Sequence, residues 1–213
     1  MTVLILGFSS WGREKVNPSE YIAKELDGRK ILDHTVLGRS IPVSYKFVRN
    51  EVPKLLTDIR PKVAIGIGLR PTSTEMYIER VALNIVDSEE KDIDGVELVD
   101  VPVVENGPPA YFTNAPVKEI VNELRRSGVP ARVSYCAGTF LCNYLYYIML
   151  HTVNTEKLNT ICCFIHIPYA TEYVTSRSIS ALGVRTTPPS LPLNVLIKAT
   201  TICVETCLKT LKK

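Results

Sequence analysis

Three short stretches of this chain, "TVLILGF" (2–8), "KVAIGIG" (62–68) and "TICCFIHIP" (160–168), are apolar at nearly every position instead of every second one. A strand with one wet face alternates apolar and polar side chains, so an unbroken run must be covered on both faces. Parallel α/β sheets meet that condition, because their crossover helices pack above and below the strands.

The intervening segments carry helix signals. "NPSE" offers Asn17 as an N-cap, Pro18 at the first helical position and Glu20 three residues past the cap, which predicts a helix over 18–26. "YKFVRNEVPKLLTDIR" (45–60) repeats apolar residues at three- and four-residue spacing. "APVKEIVNELRRSG" (115–128) is the clearest helix, with Pro116 near its start, Val117, Ile120, Val121 and Leu124 on one stripe, and Gly128 past its end. "TFLCNYLYYIMLH" (139–151) and "LPLNVLIKATTICVETCLKTLKK" (191–213) read as two more, while "ILDHTVLGRSIPVS" (31–44) and "ARVSY" (131–135) read as strands. Residues 75–105 mix β-branched runs with the charged "SEEKDIDG", which predicts strand segments around an exposed, turn-rich excursion. Without repeats or low-complexity linkers, 213 residues read as one α/β domain, 1–213: a mostly parallel central sheet flanked by helices on both faces.

Several function classes are disfavoured. The net charge of +3 is spread along the chain, and the longest terminal Lys/Arg block is Lys212-Lys213, so no nucleic-acid footprint is expected. "MTVLILGF" lacks the basic start and length of a signal peptide, and no stretch approaches the roughly 20 apolar residues of a membrane span. A cytoplasmic protein that does not engage membranes is expected. Its six cysteines include the adjacent pair Cys162-Cys163 but no C-x-x-C spacing, and His34, His151 and His166 are scattered. Free thiols and no metal or other cofactor follow.

Active groups in open parallel sheets gather at the carboxyl ends of strands. Cys142 follows the "ARVSY" strand and the small-residue turn Ala137-Gly138-Thr139. With Thr139 as cap, it falls in the first turn of a helix, where free N–H groups and the helix dipole favour a thiolate. His166 ends an apolar strand at the same rim and precedes Pro168. Glu79, in "YIERVALN" (77–84), is a carboxylate able to orient an imidazole. Each has a structural alternative: a core thiol, a satisfied strand-end histidine, or an ion pair of Glu79 with Arg80. "GIGLRP" (66–71) could cradle a phosphate, but it lacks both G-x-G-x-x-G and the P-loop Lys-Ser/Thr.

Taken in order, "GFSSWGREKVNPS" (7–19), "GIGLRPTSTEMYIERVALN" (66–84), "NGPPAYFTNAPVKEIVNELRRSGVPARVS" (106–134), "AGTFLCNYLYYIML" (137–150) and "FIHIPY" (164–169) resemble the type I pyroglutamyl peptidases, the pyrrolidone-carboxylate peptidase family of cysteine peptidases. The resemblance covers most of the chain and fades over the last forty or so residues. In that family a Glu-Cys-His triad lies on E-R-V-A, A-G-T-x-x-C-N and I-H-x-P motifs, which implies these roles for Glu79, Cys142 and His166. It further implies a cofactor-free exopeptidase that removes N-terminal pyroglutamate from peptides through a thioester, and a homo-oligomer, dimer or tetramer. Substrate contacts carried over from the family fall on Phe8, Trp11, Asn17 and Leu141.

The sequence also departs from the family pattern. Trp11 stands in a usual Phe position with Ser10 before it, Arg70 and Thr72 stand where small residues are usual, and Tyr135-Cys136 replaces a small polar pair. The D-A-R that supplies an oxyanion-stabilising Arg reads Asp87-Ser88-Glu89 here. The oxyanion donor then falls to Arg80, Arg70 or the backbone N–H of Cys142. Two alternatives accompany the peptidase reading: a homologue that binds a lactam-like ligand with weak or no turnover, motivated by Glu89, and a phosphate- or nucleotide-binding protein using "GIGLRP".

Overall fold

The computed structural model describes residues 1–12, 16–174, 179–181 and 184–211; Lys212 and Lys213 lie outside that set. Strands β1 (Thr2–Phe8), β2 (Lys30–Ile31), β3 (His34–Ile41), β4 (Val63–Leu69), β5 (Met76–Glu79), β6 (Ala131–Ser134) and β7 (Ile161–Ile167) form one sheet, ordered β6-β5-β7-β4-β1-β3-β2. The three unbroken apolar runs are its adjacent central strands β7, β4 and β1, parallel to one another and to β3. The sheet is mixed at its margins: β5 runs antiparallel to β7 and carries β6 parallel to itself, while β2 turns back on β3.

Alternation along the central strands feeds two cores, as an α/β/α sandwich requires. Val3, Ile5, Ile65 and Ile165 meet α1 (Pro18–Leu26), α3 (Val117–Arg126) and α5 (Leu193–Thr210) on one face. Leu4, Leu6, Ala64 and Phe164 meet α2 (Tyr45–Ile59) and α4 (Leu141–Thr155) on the other. Fully burying an aliphatic or aromatic side chain contributes roughly 1.5–3 kcal/mol, so each run works against two layers at once. On the α4 face, β4 presents only Ala64, Gly66 and Gly68. That narrow strip admits bulk from its neighbours: a Cβ on Gly66 would stand 2.6 Å from the Phe164 ring. The buried tyrosines Tyr144, Tyr146 and Tyr147 of α4 occupy the same side.

The helix starts follow the sequence with one exception. Asn17 caps α1, its Oδ1 accepting the Ser19 N–H at 3.1 Å, and the Ser44 hydroxyl caps α2 by accepting the Phe47 N–H at 3.1 Å. Thr139 does not cap α4. Phe140 takes the N-cap position without a side-chain bond, and the Thr139 hydroxyl donates instead to the Asp87 carbonyl at 2.6 Å. The charged excursion is turn-rich but anchored, because Asp92 is buried and accepts the Tyr45 N–H at 2.9 Å while Ser44 donates to Asp94 at 2.5 Å. Two carboxylates at the amino end of α2 also suit its dipole. Among the described residues, no helix is long and apolar enough to cross a membrane.

Candidate active site

One row of residues crosses four strands: Arg132 on β6 pairs with Tyr77 on β5, Tyr77 with His166 on β7, and His166 with Gly68 on β4. Directly paired residues point to the same face, so the row lies beneath α4. Cys142, the second residue of α4, comes down over its Gly68 end. A Cβ at Gly68 would meet the Cys142 sulfur at 2.6 Å and His166 Cδ2 at 3.3 Å, so sulfur and imidazole converge on space that only glycine leaves open. The second glycine of "GIGLRP" thus serves close approach of two side chains, the usual meaning of glycine inside a strand, and explains the motif without a phosphate.

Behind the imidazole, His166 Nδ1 lies 2.8 Å from Oε1 of Glu79, which is fully buried. Glu79 is fixed from above by α4, whose Tyr146 hydroxyl donates to the Glu79 carbonyl at 2.9 Å. Neighbouring Asn143, also fully buried, accepts from the Leu83 N–H at 2.9 Å and donates to the carbonyls of Leu83 and Ile85 at 2.9 and 3.0 Å. The first turn of α4 and the chain after β5 are therefore one rigid unit. Burial works against a charged His166, but attraction to Cys142, the hydrogen bond between them and the Glu79 carboxylate together raise its pKa from 6.5 to about 9. Cys142 is partly exposed and Cys136 exposed, whereas Cys162, Cys163, Cys203 and Cys207 are buried, and burial pushes those four thiols up.

Beside the sulfur opens an apolar cavity of about 210 Å³ lined by Phe8, Trp11, Asn17, Val43, Leu69, Pro71, Phe140, Leu141 and Cys142. All of Phe8, Trp11, Asn17 and Leu141 singled out in the sequence are there. Asn17 is mostly committed to structure, since Oδ1 also accepts from the Ser19 hydroxyl at 2.6 Å and Nδ2 donates to the Ser9 carbonyl at 3.2 Å. Sequence reasoning missed Val43, Leu69, Pro71 and Phe140. Val43 was accessible in principle, because it follows β3 at the rim where β1 ends, Phe8 pairing with Ile41. Phe140 packs on Trp11, another lining residue, with ring centres 5.2 Å apart.

The arginines named as oxyanion donors stand elsewhere. Arg80 follows the last residue of β5, and its backbone N–H donates to the Ser134 carbonyl at 2.7 Å. Its side chain donates to the Thr113 carbonyl at 3.4 Å, packs near Phe112 and lines a different depression with α3. Arg70 folds over Tyr77, 4.4 Å from its ring centre, instead of entering the cavity. Glu89 is exposed and absent from the cavity lining, as are Thr72, Tyr135 and Cys136. What does face the sulfur is the start of α4, whose first N–H groups have no intrahelical acceptor and no capping side chain. Among the described residues no group of three or more His, Cys, Asp or Glu is arranged to hold a metal, and His34 and His151 bond to the Leu32 carbonyl and Tyr111 hydroxyl instead.

Known proteins repeat this sequence and frame. The family model described as pyroglutamyl peptidase matches residues 1–210. The pyrrolidone-carboxylate peptidase of Pyrococcus furiosus is 39% identical over 211 residues, spanning 99% of this chain and 100% of its own. That of Cupriavidus taiwanensis is 35% identical over 98% of this chain and 94% of its own. The solved pyrrolidone carboxyl peptidase of Thermococcus litoralis superposes with a TM-score of 0.94 at 39% identity, covering 99% of this chain and 94% of that one. With the family model matched over residues 1–210 and relatives at this identity over nearly the whole chain, the chain belongs to the pyroglutamyl peptidase family.

Proposed function

We propose that this protein is a cysteine exopeptidase that hydrolyses the bond after an N-terminal pyroglutamyl residue. The observation that carries the reading is the convergence of Cys142 and His166 over Gly68, with Glu79 2.8 Å behind the imidazole, at the edge of an apolar cavity. Pyroglutamate is a small uncharged lactam, and walls such as Phe8, Trp11 and Phe140 suit it without charge.

In the proposed reaction the Cys142 thiol yields its proton to His166 as its sulfur attacks the pyroglutamyl carbonyl carbon, and the carbonyl electrons move to oxygen. Backbone N–H groups at the start of α4 receive that oxyanion, with the helix dipole adding to the stabilisation. His166, with Nδ1 held by Glu79, gives its proton to the departing amine as the C–N bond breaks and a thioester forms. Water then attacks the thioester, losing a proton to His166, and pyroglutamate leaves as the sulfur is restored. Backbone oxyanion donors supply what Glu89 cannot, which favours turnover over a binding-only homologue.

Hydrolysis of a pyroglutamyl chromogenic amide tests the reading: release of the chromophore by the wild type, lost in Cys142→Ala, is expected. Equal rates for the two proteins would refute it.

A further inference from the structure

Arg70 stands where the family usually has a small residue, and neither the cavity nor the proposed oxyanion site uses its side chain. Its position is nonetheless defined. Leu69 and Pro71 on either side line the cavity, and the Arg70 N–H bonds to the Ile167 carbonyl at 2.8 Å. Its guanidinium lies on Tyr77, the direct cross-strand partner of His166. Arg132, the next residue in the same row, approaches the Tyr77 ring at 5.6 Å. Arg132 is paired with Glu75 at 2.6 Å, whereas Arg70 meets no carboxylate among the described residues.

This placement bears on the leaving group. The lactam ring fills the cavity on one side of Cys142, and the departing amine must come within reach of the His166 nitrogen that Glu79 does not hold. The residue after pyroglutamate therefore begins beside His166, and the next side chain along the row is Tyr77 with Arg70 above it. A guanidinium stacked on an aromatic ring is held in place while its N–H edges remain free for a carboxylate. We propose that Arg70, mounted on Tyr77, makes this enzyme favour peptides with an acidic residue immediately after pyroglutamate. The proposal rests on the peptidase reading above.

The test compares kcat/KM for three C-terminally amidated peptides that differ only in having Glu, Gln or Lys after pyroglutamate, in the wild type, Arg70→Gln and Arg70→Lys. The wild type should favour Glu over Gln by up to about 5-fold at low ionic strength, the upper end for a partly exposed ion pair, with Lys below Gln. Salt should shrink the ratio. In Arg70→Gln the Glu-to-Gln ratio should fall to unity while hydrolysis of the Gln peptide is unchanged, and Arg70→Lys should keep part of the preference. A wild-type ratio at or below unity, or one that survives Arg70→Gln, overturns the proposal. Failure of the wild type to cleave the Gln peptide at all would instead remove the peptidase reading, and this proposal with it.

Discussion

Gly68 and Cys142 are sterically linked: a side chain on the strand would stand 2.6 Å from the sulfur. Gly68→Ala must therefore push the sulfur or α4 away from His166. Misplacing a reacting group by about 1 Å can cost on the order of 10²-fold, so kcat should fall by about that factor. Overpacking of this kind destabilises by roughly 1–3 kcal/mol, so the variant should remain folded by circular dichroism. Wild-type kcat in Gly68→Ala would show that the sulfur does not need this space.

His166, whose proton is held by attraction to Cys142, the hydrogen bond between them and the Glu79 carboxylate, should set the alkaline limb of the activity profile. With its pKa near 9, His166 remains a proton donor until the pH approaches that value. Replacing the carboxylate by an amide in Glu79→Gln removes one of the interactions that favour the imidazolium. The limb in kcat/KM should move to lower pH as the rate falls by up to about 10⁴-fold, the loss associated with converting the orienting carboxylate of a nucleophile triad to an amide. A reduced rate with an unmoved limb would contradict the assigned coupling.

Stability should follow the same proton. The folded protein holds the His166 proton more tightly than the unfolded chain, whose pKa is near 6.5. The stabilisation is present below about pH 6.5 and is lost as the pH rises through about 9. Denaturant midpoints of His166→Ala relative to the wild type should therefore diverge towards low pH. A difference independent of pH would sever the link.

The central strands and the order of the helices were legible in the sequence because each rests on a local signal, and the motifs pointed to Glu79, Cys142 and His166, three side chains that the fold brings together. The unbroken runs of β1, β4 and β7 could only be central, and Asn17-Pro18 marked a helix start that the structure keeps. Long-range pairing was not legible. β5 inserts between β6 and β7, parallel to the first and antiparallel to the second, and nothing within "MYIE" announces those partners. The same limit hid the row through Tyr77 and His166, and with it the place of Arg70. It also hid the place of Arg80, because the carbonyl its side chain binds, that of Thr113, is remote in sequence. Thr139 looked like a cap because its residue type fits, yet its hydroxyl found the Asp87 carbonyl across the chain.

Asn143 should be a stability residue more than a catalytic one. Asn143→Ala strips the Leu83 N–H and the Leu83 and Ile85 carbonyls of their side-chain partner, a loss of at least about 3 kcal/mol at roughly 1–3 kcal/mol for each group left unsatisfied. Urea unfolding should show a lower midpoint with an unchanged slope. A midpoint equal to that of the wild type would mean these bonds are replaced by water.

The central claim is that Cys142 is the sulfur that reacts, and alkylation tests it without assuming a substrate. With Cys162, Cys163, Cys203 and Cys207 buried, only Cys142 and the exposed Cys136 are open to iodoacetamide. Peptide mapping during inactivation, with pyroglutamyl amide hydrolysis followed in parallel, should show activity falling in step with label on Cys142, more slowly in His166→Ala, and unaffected by label on Cys136. Inactivation that tracks Cys136, or full activity with Cys142 completely labelled, would contradict the account.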